Sequence, residues 1–127
     1  MPHLTLEYTD NITQEVDFVR LFSGLHGILA ALAGIQVDNC KSRCVQLDTY
    51  HVGLGEGHQA FVHLTIRMLD GRPLEVRQEI GRQCASLLEA TYGPSLGETE
   101  LQITVEVAEM QPATYFKLPE GTLRPVR

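Results

Sequence analysis

A proline stands second in the chain, directly before the alternating run HLTLEYT. Because a small residue after Met1 favours removal of the initiator, we expect Pro2 to carry a free secondary amine. Such an α-amino group titrates near ~7.7–8.0, and burial beside cations lowers that pKa until the neutral amine can act as a general base. The alternative is structural, since proline is tolerated at the first residue of a strand. A retained Met1 would make the Pro2 nitrogen an amide.

Three cations are candidates for binding an anionic substrate. When the two halves of the chain are compared without gaps, Lys41 and Arg43 align with the apolar Leu101 and Ile103. A buried cation needs an anion or a route to solvent, so snorkelling or a salt bridge is the alternative for both residues. The fork of Arg43 suits a carboxylate better than Lys41 does. Arg72, in Gly71-Arg72-Pro73, lies where a helix start adds partial positive charge, or else is an ordinary solvated arginine.

Other reactive side chains form weaker patterns. No phosphate-loop, nucleophile-elbow or dinucleotide motif is present. The neighbouring histidines lack a helical metal spacing, so we expect no metal site (His51, His58, His63). The cysteines have no CxxC spacing, and we expect them to be small buried residues in a reducing compartment (Cys40, Cys44, Cys84).

Composition narrows the class of protein further. A chain of 127 residues with 43% hydrophobic residues suits a single globular domain, here predicted as 1–127. The net charge of -6 argues against a nucleic-acid partner, whereas a small anionic substrate requires only a local cluster of cations. No apolar run approaches ~20 residues and no signal peptide is evident, so we expect no membrane partner and a cytoplasmic location.

The positions of these residues follow from an internal repeat. Aligning His3 with His63 places identical residues at several further positions, among them Leu4/Leu64 and Thr5/Thr65. We therefore predict pseudo-repeats at 2–58 and 61–112, followed by a tail at 113–127. The tail has little apolar content, and we expect it to lie across a neighbouring chain or to be mobile.

Each repeat has the pattern strand, helix, strand. The runs HLTLEYT and FVHLTIRM alternate as half-buried strands do, and CVQLDTY and LQITVEVAEM close the two repeats. Between them lie two helical stripes: Phe18, Phe22, Leu25, Leu29, Leu32; and Val76, Ile80, Cys84, Leu87, Leu88. Pro73 suits a first helical position. The predicted fold is α/β (α+β): a four-stranded mixed sheet with two helices on one face. Its other face carries polar residues, and we expect another subunit to cover it (His3, Thr5, Glu7, His63, Thr65, Arg67).

These features resemble the tautomerase superfamily, in which an amino-terminal proline opens a strand of a doubled β-α-β fold. More closely, PHLTLEYTDNI, SR at 42–43, DT at 48–49, AFVHLT, GRPLEVRQE and YFK at 115–117 are similar to the 5-carboxymethyl-2-hydroxymuconate delta-isomerases. The resemblance extends over the whole chain with hardly a gap.

The resemblance implies a homotrimer with a central barrel and cofactor-free keto-enol chemistry on a carboxylate-rich dienol from aromatic-acid degradation. Pro2 would carry the proton, while Arg43 and Arg72 would hold carboxylates. Lys41 stands where we expect an arginine in that family, so the bound acid is less well defined than the reaction. Phe116 or Tyr50 is expected to form an apolar wall. The alternatives are a phenylpyruvate-type tautomerase, a dehalogenase, or a ferredoxin-like module that binds small acids without turnover.

Overall fold

The computed structural model describes residues 1–119, and the end of the predicted tail, 120–127, lies outside the described residues. The strands are β1 (His3–Thr9), β2 (Lys41–Leu47), β3 (Gln59–Leu69) and β4 (Glu100–Met110). The helices are α1 (Phe18–Ala33) and α2 (Leu74–Thr91). The prediction of two β-α-β units is therefore confirmed, although β3 begins slightly before residue 61.

One mixed sheet holds all four strands in the order β2-β1-β3-β4. The pairs β1–β2 and β3–β4 are parallel, while the two central strands, β1 and β3, are antiparallel. Each helix is the crossover between the parallel strands of its own unit. This arrangement confirms the predicted four-stranded mixed sheet with two helices.

The core lies between the helices and one face of the sheet. Alternate residues of β1 and β3, such as Leu4, Leu6, Leu64 and Ile66, are fully buried. They pack with one stripe of each helix (Leu21, Leu25, Leu29; Ile80, Cys84, Leu88). The predicted stripes were right in direction, but Phe18, Phe22 and Leu32 lie at the partly buried edge of the first one.

Local signals set the helix ends. The Asp17 carboxylate accepts a hydrogen bond from the backbone N–H of Arg20 (3.1 Å) and caps α1. Gly34, at φ 65°, ends it in the left-handed conformation that glycine adopts at least cost. Pro73 precedes the first helical residue of α2 rather than occupying it, and its carbonyl accepts from Val76 N–H (3.1 Å) and Arg77 N–H (3.2 Å).

The second strands of the two repeats do not align as the ungapped comparison predicts. Leu4 pairs with Ser42, whereas the equivalent Leu64 pairs with Val105 rather than Gln102. A slip by an odd number of residues moves every side chain to the other face. In this register Lys41 and Arg43 correspond to Thr104 and Glu106. The prediction that these cations are equivalent to the apolar Leu101 and Ile103 was therefore wrong.

The sheet face without helices, called the open face below, carries Lys41 and Arg43 together with the polar residues of β1 and β3. Across the central pair, Thr5 lies opposite Thr65, Glu7 opposite His63, and His3 opposite Arg67. These residues are the ones predicted for this face, now joined by the cations of β2.

The expectation that all three cysteines are buried is met only in part. Cys84 is buried as predicted, but Cys44 is exposed and Cys40 only partly covered, and all three are free thiols. Within residues 1–119, no helix is both long enough and apolar enough to cross a membrane.

Candidate active site

Pro2 is buried at the amino end of β1. Its carbonyl accepts a hydrogen bond from the backbone N–H of Lys41 (3.1 Å), which extends the β1–β2 pairing by one residue. Pro2 lines a cavity of about 60 Å³ whose other walls are Met1, Ile35, Met68, Leu69 and Arg72. Larger grooves of about 420 to 600 Å³ lie against the helices, away from this cluster. The small cavity brings the chain end together with a cation, Arg72.

Arg72 is fixed between the ends of two elements. Its Nη1 donates to the carbonyl of Leu69, the last residue of β3 (3.3 Å), and its Nη2 to that of Ala33, the last residue of α1 (3.4 Å). Terminal helix carbonyls have no partner within the helix, so the guanidinium is a natural capping group. Its Nε is buried and makes no hydrogen bond with any residue that the structure describes. The two carbonyls therefore hold the positive charge of Arg72 at the wall of the Pro2 cavity.

The surroundings of the chain end disfavour a charged amine. Burial lowers the pKa of the Met1 α-amino group from 8.0 to about 6. The Cys40 thiol opposes this effect, and the charges of Lys41, Lys117 and Arg72 add to it. An amine held here is therefore largely neutral at pH 7.

A second cationic group lies on the adjoining open face. Arg43 Nη2 is 2.8 Å from His3 Nδ1, and Arg43 Nη1 lies 3.5 Å from Thr5 Oγ1. His3 Nε2 is 2.8 Å from the hydroxyl of Tyr115. Burial, followed by the charges of Arg43 and Lys41, lowers the pKa of His3. A neutral histidine thus lies between Arg43 and the start of the tail.

The structure brings some of the predicted residues together and separates others. Pro2 and Arg72 share the cavity, the backbone N–H of Lys41 bonds the Pro2 carbonyl, and Arg43 is two pairs further along β2. Tyr50 instead makes an edge contact with Phe61 (6.4 Å between centroids), whose N–H bonds Thr9 at the far end of β1. Phe116 is 82% exposed. Within one protomer, neither aromatic residue forms a wall of the Pro2 cavity.

Sequence reasoning missed Lys117 and the pair His3–Tyr115. Lys117 is close enough to influence the amino terminus. The motif YFK contains both Tyr115 and Lys117, but nothing local shows that the tail folds back onto β1. The only available signal was that motif.

Comparison with known proteins assigns this arrangement to a family. Residues 2–120 match the family described as 5-carboxymethyl-2-hydroxymuconate isomerase. The chain belongs to the 5-carboxymethyl-2-hydroxymuconate isomerase family. It is 32% identical over 117 residues to the 5-carboxymethyl-2-hydroxymuconate Delta-isomerase of Escherichia coli, covering 92% of this chain and 93% of that protein. The member described here is accordingly an isomerase.

Solved structures agree with this assignment. A 5-carboxymethyl-2-hydroxymuconate isomerase from Deinococcus radiodurans R1 is 32% identical and superimposes with a TM-score of 0.82, covering 91% of this chain and 87% of that one. A fused 4-OT symmetric trimer, 12% identical, has a TM-score of 0.71 over 92% of each chain and shares the fold. The isomerase family member therefore has the tautomerase fold that its sequence resembles.

Proposed function

We propose that this isomerase moves a proton along a carboxylate-rich dienol such as 5-carboxymethyl-2-hydroxymuconate, using the amino-terminal nitrogen of Pro2 as base and then as acid. The observation that carries the proposal is the position of Pro2, which is buried in one cavity with Arg72. Burial and the nearby cations also lower the pKa of the amine at this end of the chain, which favours its neutral form. The activity of the Escherichia coli relative names the substrate class.

Removal of Met1 is a required step in this proposal. It converts the Pro2 amide into a secondary amine. This amine lies one residue further into the protein than that of Met1, and it is near the same cations. It also takes away one wall of the cavity. A volume of about 60 Å³ is that of roughly two water molecules in the liquid, too little for a dicarboxylic dienol. Processing thus supplies both the base and space for the substrate.

The reaction needs no oxidant or reductant. Neutral Pro2 takes the proton of the dienol hydroxyl, and the oxygen lone pair forms the carbonyl as electrons move along the conjugated chain. The resulting prolinium returns the proton to a carbon further along that chain. Electrostatic stabilisation of the dienolate is the largest contribution expected in such a site, and the guanidinium of Arg72, which lines the cavity, would supply the positive charge for it. Lys41 and Arg43 hold the carboxylates.

A homotrimer would complete the site. The open face joins polar residues with Phe61 and Val45, and fold relatives are described as symmetric trimers. If open faces meet, Tyr50 and Phe116 of one protomer are available to wall the Pro2 cavity of the next, as neither does in its own. No cofactor enters the mechanism. The free cysteines fit a reducing, cytoplasmic setting.

The decisive experiment compares two variants at position 2. Pro2→Ala permits removal of Met1 and keeps a free amine at the same place, whereas Pro2→Gln, with its larger side chain, retains Met1. Turnover of 5-carboxymethyl-2-hydroxymuconate should fall by about 10²- to 10⁴-fold in Pro2→Gln and by clearly less in Pro2→Ala. Intact mass verifies processing. Equal turnover in Pro2→Gln and the wild type would exclude an amino-terminal base.

The runner-up functions give different results in the same assay. A tautomerase or dehalogenase with another substrate would process phenylpyruvate enol or a haloacrylate faster than the dienol.

A further inference from the structure

We propose that His3 is a positioning residue with two separate functions: it orients Arg43 on the open face, and it anchors Tyr115, so that the start of the tail stays on β1. This inference rests on the proposed function, because Arg43 is one of the cations that hold the substrate.

The first function follows from the donor properties of arginine. A guanidinium donates hydrogen bonds and never accepts them, so the contact of 2.8 Å between Arg43 Nη2 and His3 Nδ1 requires an unprotonated Nδ1. Arg43 is otherwise exposed, with only a long contact to Thr5 (3.5 Å). His3 is therefore the main group within the protomer that restricts this long, flexible cation.

The second function uses the opposite nitrogen. With Nδ1 bare, the neutral ring carries its proton on Nε2 and donates it to the Tyr115 hydroxyl (2.8 Å). The two rings also meet edge-on, with centroids 5.8 Å apart. Tyr115 follows the short turn Pro112–Thr114 after β4, so this contact is where the tail returns to β1.

The neutral state of His3 is imposed by its neighbours on every side. Lys41 and Arg43 approach from β2, Arg67 lies opposite on β3, the terminal amine is adjacent, and Tyr115 covers the ring from the tail. All the charged groups are cations and disfavour an imidazolium. Protonation of Nδ1 would also place two N–H donors, His3 Nδ1 and Arg43 Nη2, in contact without an acceptor between them.

The two functions can be separated because asparagine and glutamine replace different nitrogens of the ring. His3→Asn places an acceptor near Nδ1 and loses the donor to Tyr115, whereas His3→Gln reaches Tyr115 and loses the Nδ1 acceptor. Loss of a hydrogen bond to a charged group predicts an increase in KM of about tenfold for 5-carboxymethyl-2-hydroxymuconate in His3→Gln. In His3→Asn and Tyr115→Phe, which both lose the hydrogen bond between His3 and Tyr115, we expect a near-normal KM and faster cleavage of the tail in limited proteolysis.

Equal effects of the two His3 substitutions on both readouts would overturn the division of functions. A second measurement does not depend on turnover and so separates this inference from the proposed function. Long-range ¹H–¹⁵N spectra of histidine-labelled protein should show His3 as the Nε2–H tautomer. An Nδ1–H tautomer, or a ring that is charged at pH 7, would contradict the inference even in a fully active enzyme.

Discussion

The carbonyl of Pro2 and the backbone N–H of Lys41 lie 3.1 Å apart and form a hydrogen bond. This bond holds the chain end in the β1–β2 ladder, where a terminus would ordinarily fray. Because Lys41 opens β2, the same bond fixes a cation beside the amine. Preorganisation of the proposed base thus begins in the main chain.

Replacement of Arg72 should affect both activity and stability. Arg72→Ala removes the donor at the cavity together with the bonds to Leu69 and Ala33. We expect kcat/KM to fall by about 10²–10³ and the free energy of unfolding by about 1–3 kcal/mol. Arg72→Lys keeps the charge but not the fork and should lie between. Arg82→Ala, which breaks only an exposed pair with Glu79, is the matched control and should match the wild type in steady-state kinetics and urea unfolding.

Two glycines of the first helical region should respond in opposite directions to alanine. Gly34 needs a positive φ, so Gly34→Ala should cost about 1–2 kcal/mol. Gly27 lies within α1, where an added Cβ meets no atom within 4 Å, so Gly27→Ala should add about 0.5–1 kcal/mol. Chemical denaturation measures both. Equal shifts in the same direction would show that the end of α1 is not set by the left-handed residue.

The open face should be the surface that assembles the protein. Thr65 lies at its centre, between Thr5 and Glu106. We expect Thr65→Arg to convert the proposed trimer into smaller species in sedimentation velocity, because a large cation cannot be buried there without a partner. The control variant Gln83→Arg also introduces an arginine, but on the exposed side of α2, and it should keep the assembly state of the wild type. A trimeric Thr65→Arg protein would place the interface elsewhere.

Activity should depend on pH through the amine. A lowered pKa means that the neutral base predominates above the folded value and is lost as the pH falls through it. Burial lowers the pKa of the Met1 amine to about 6, and the Pro2 amine freed by processing lies among the same groups, so the acidic limb of kcat/KM should lie below the ~7.7–8.0 of an ordinary α-amino group. A limb near 8 would mean that the amine is solvated.

The fold was largely predictable because strand alternation and helical stripes are local patterns that repeat in both halves. Strand register was not, since nothing local reveals that Leu4 pairs with Ser42 but Leu64 with Val105. Because of this slip, Lys41 and Arg43 are equivalent to Thr104 and Glu106 of the open face, and not to Leu101 and Ile103.

The sequence did not reveal residues that come close to Pro2 only through contacts between distant parts of the chain. Pro2 and Arg72 have distinctive chemistry or a distinctive turn, and both are visible in the sequence. Tyr115 reaches the amino end of β1 because the tail folds back onto His3, a contact 112 residues apart along the chain. Tyr50 lies at the end of β1 that is far from Pro2 in the same protomer. The sequence alone does not show whether such a residue contributes to its own site or to that of a neighbouring protomer.

Titration of the Pro2 nitrogen is the most direct test of the proposed mechanism. The protein, labelled with ¹⁵N-proline and verified by mass to lack Met1, is followed by NMR from pH 4 to 10. We predict a titrating secondary amine with a pKa well below the ~7.7–8.0 of an ordinary α-amino group. An amide signal, or a pKa at or above that ordinary range, would contradict Pro2 as the base.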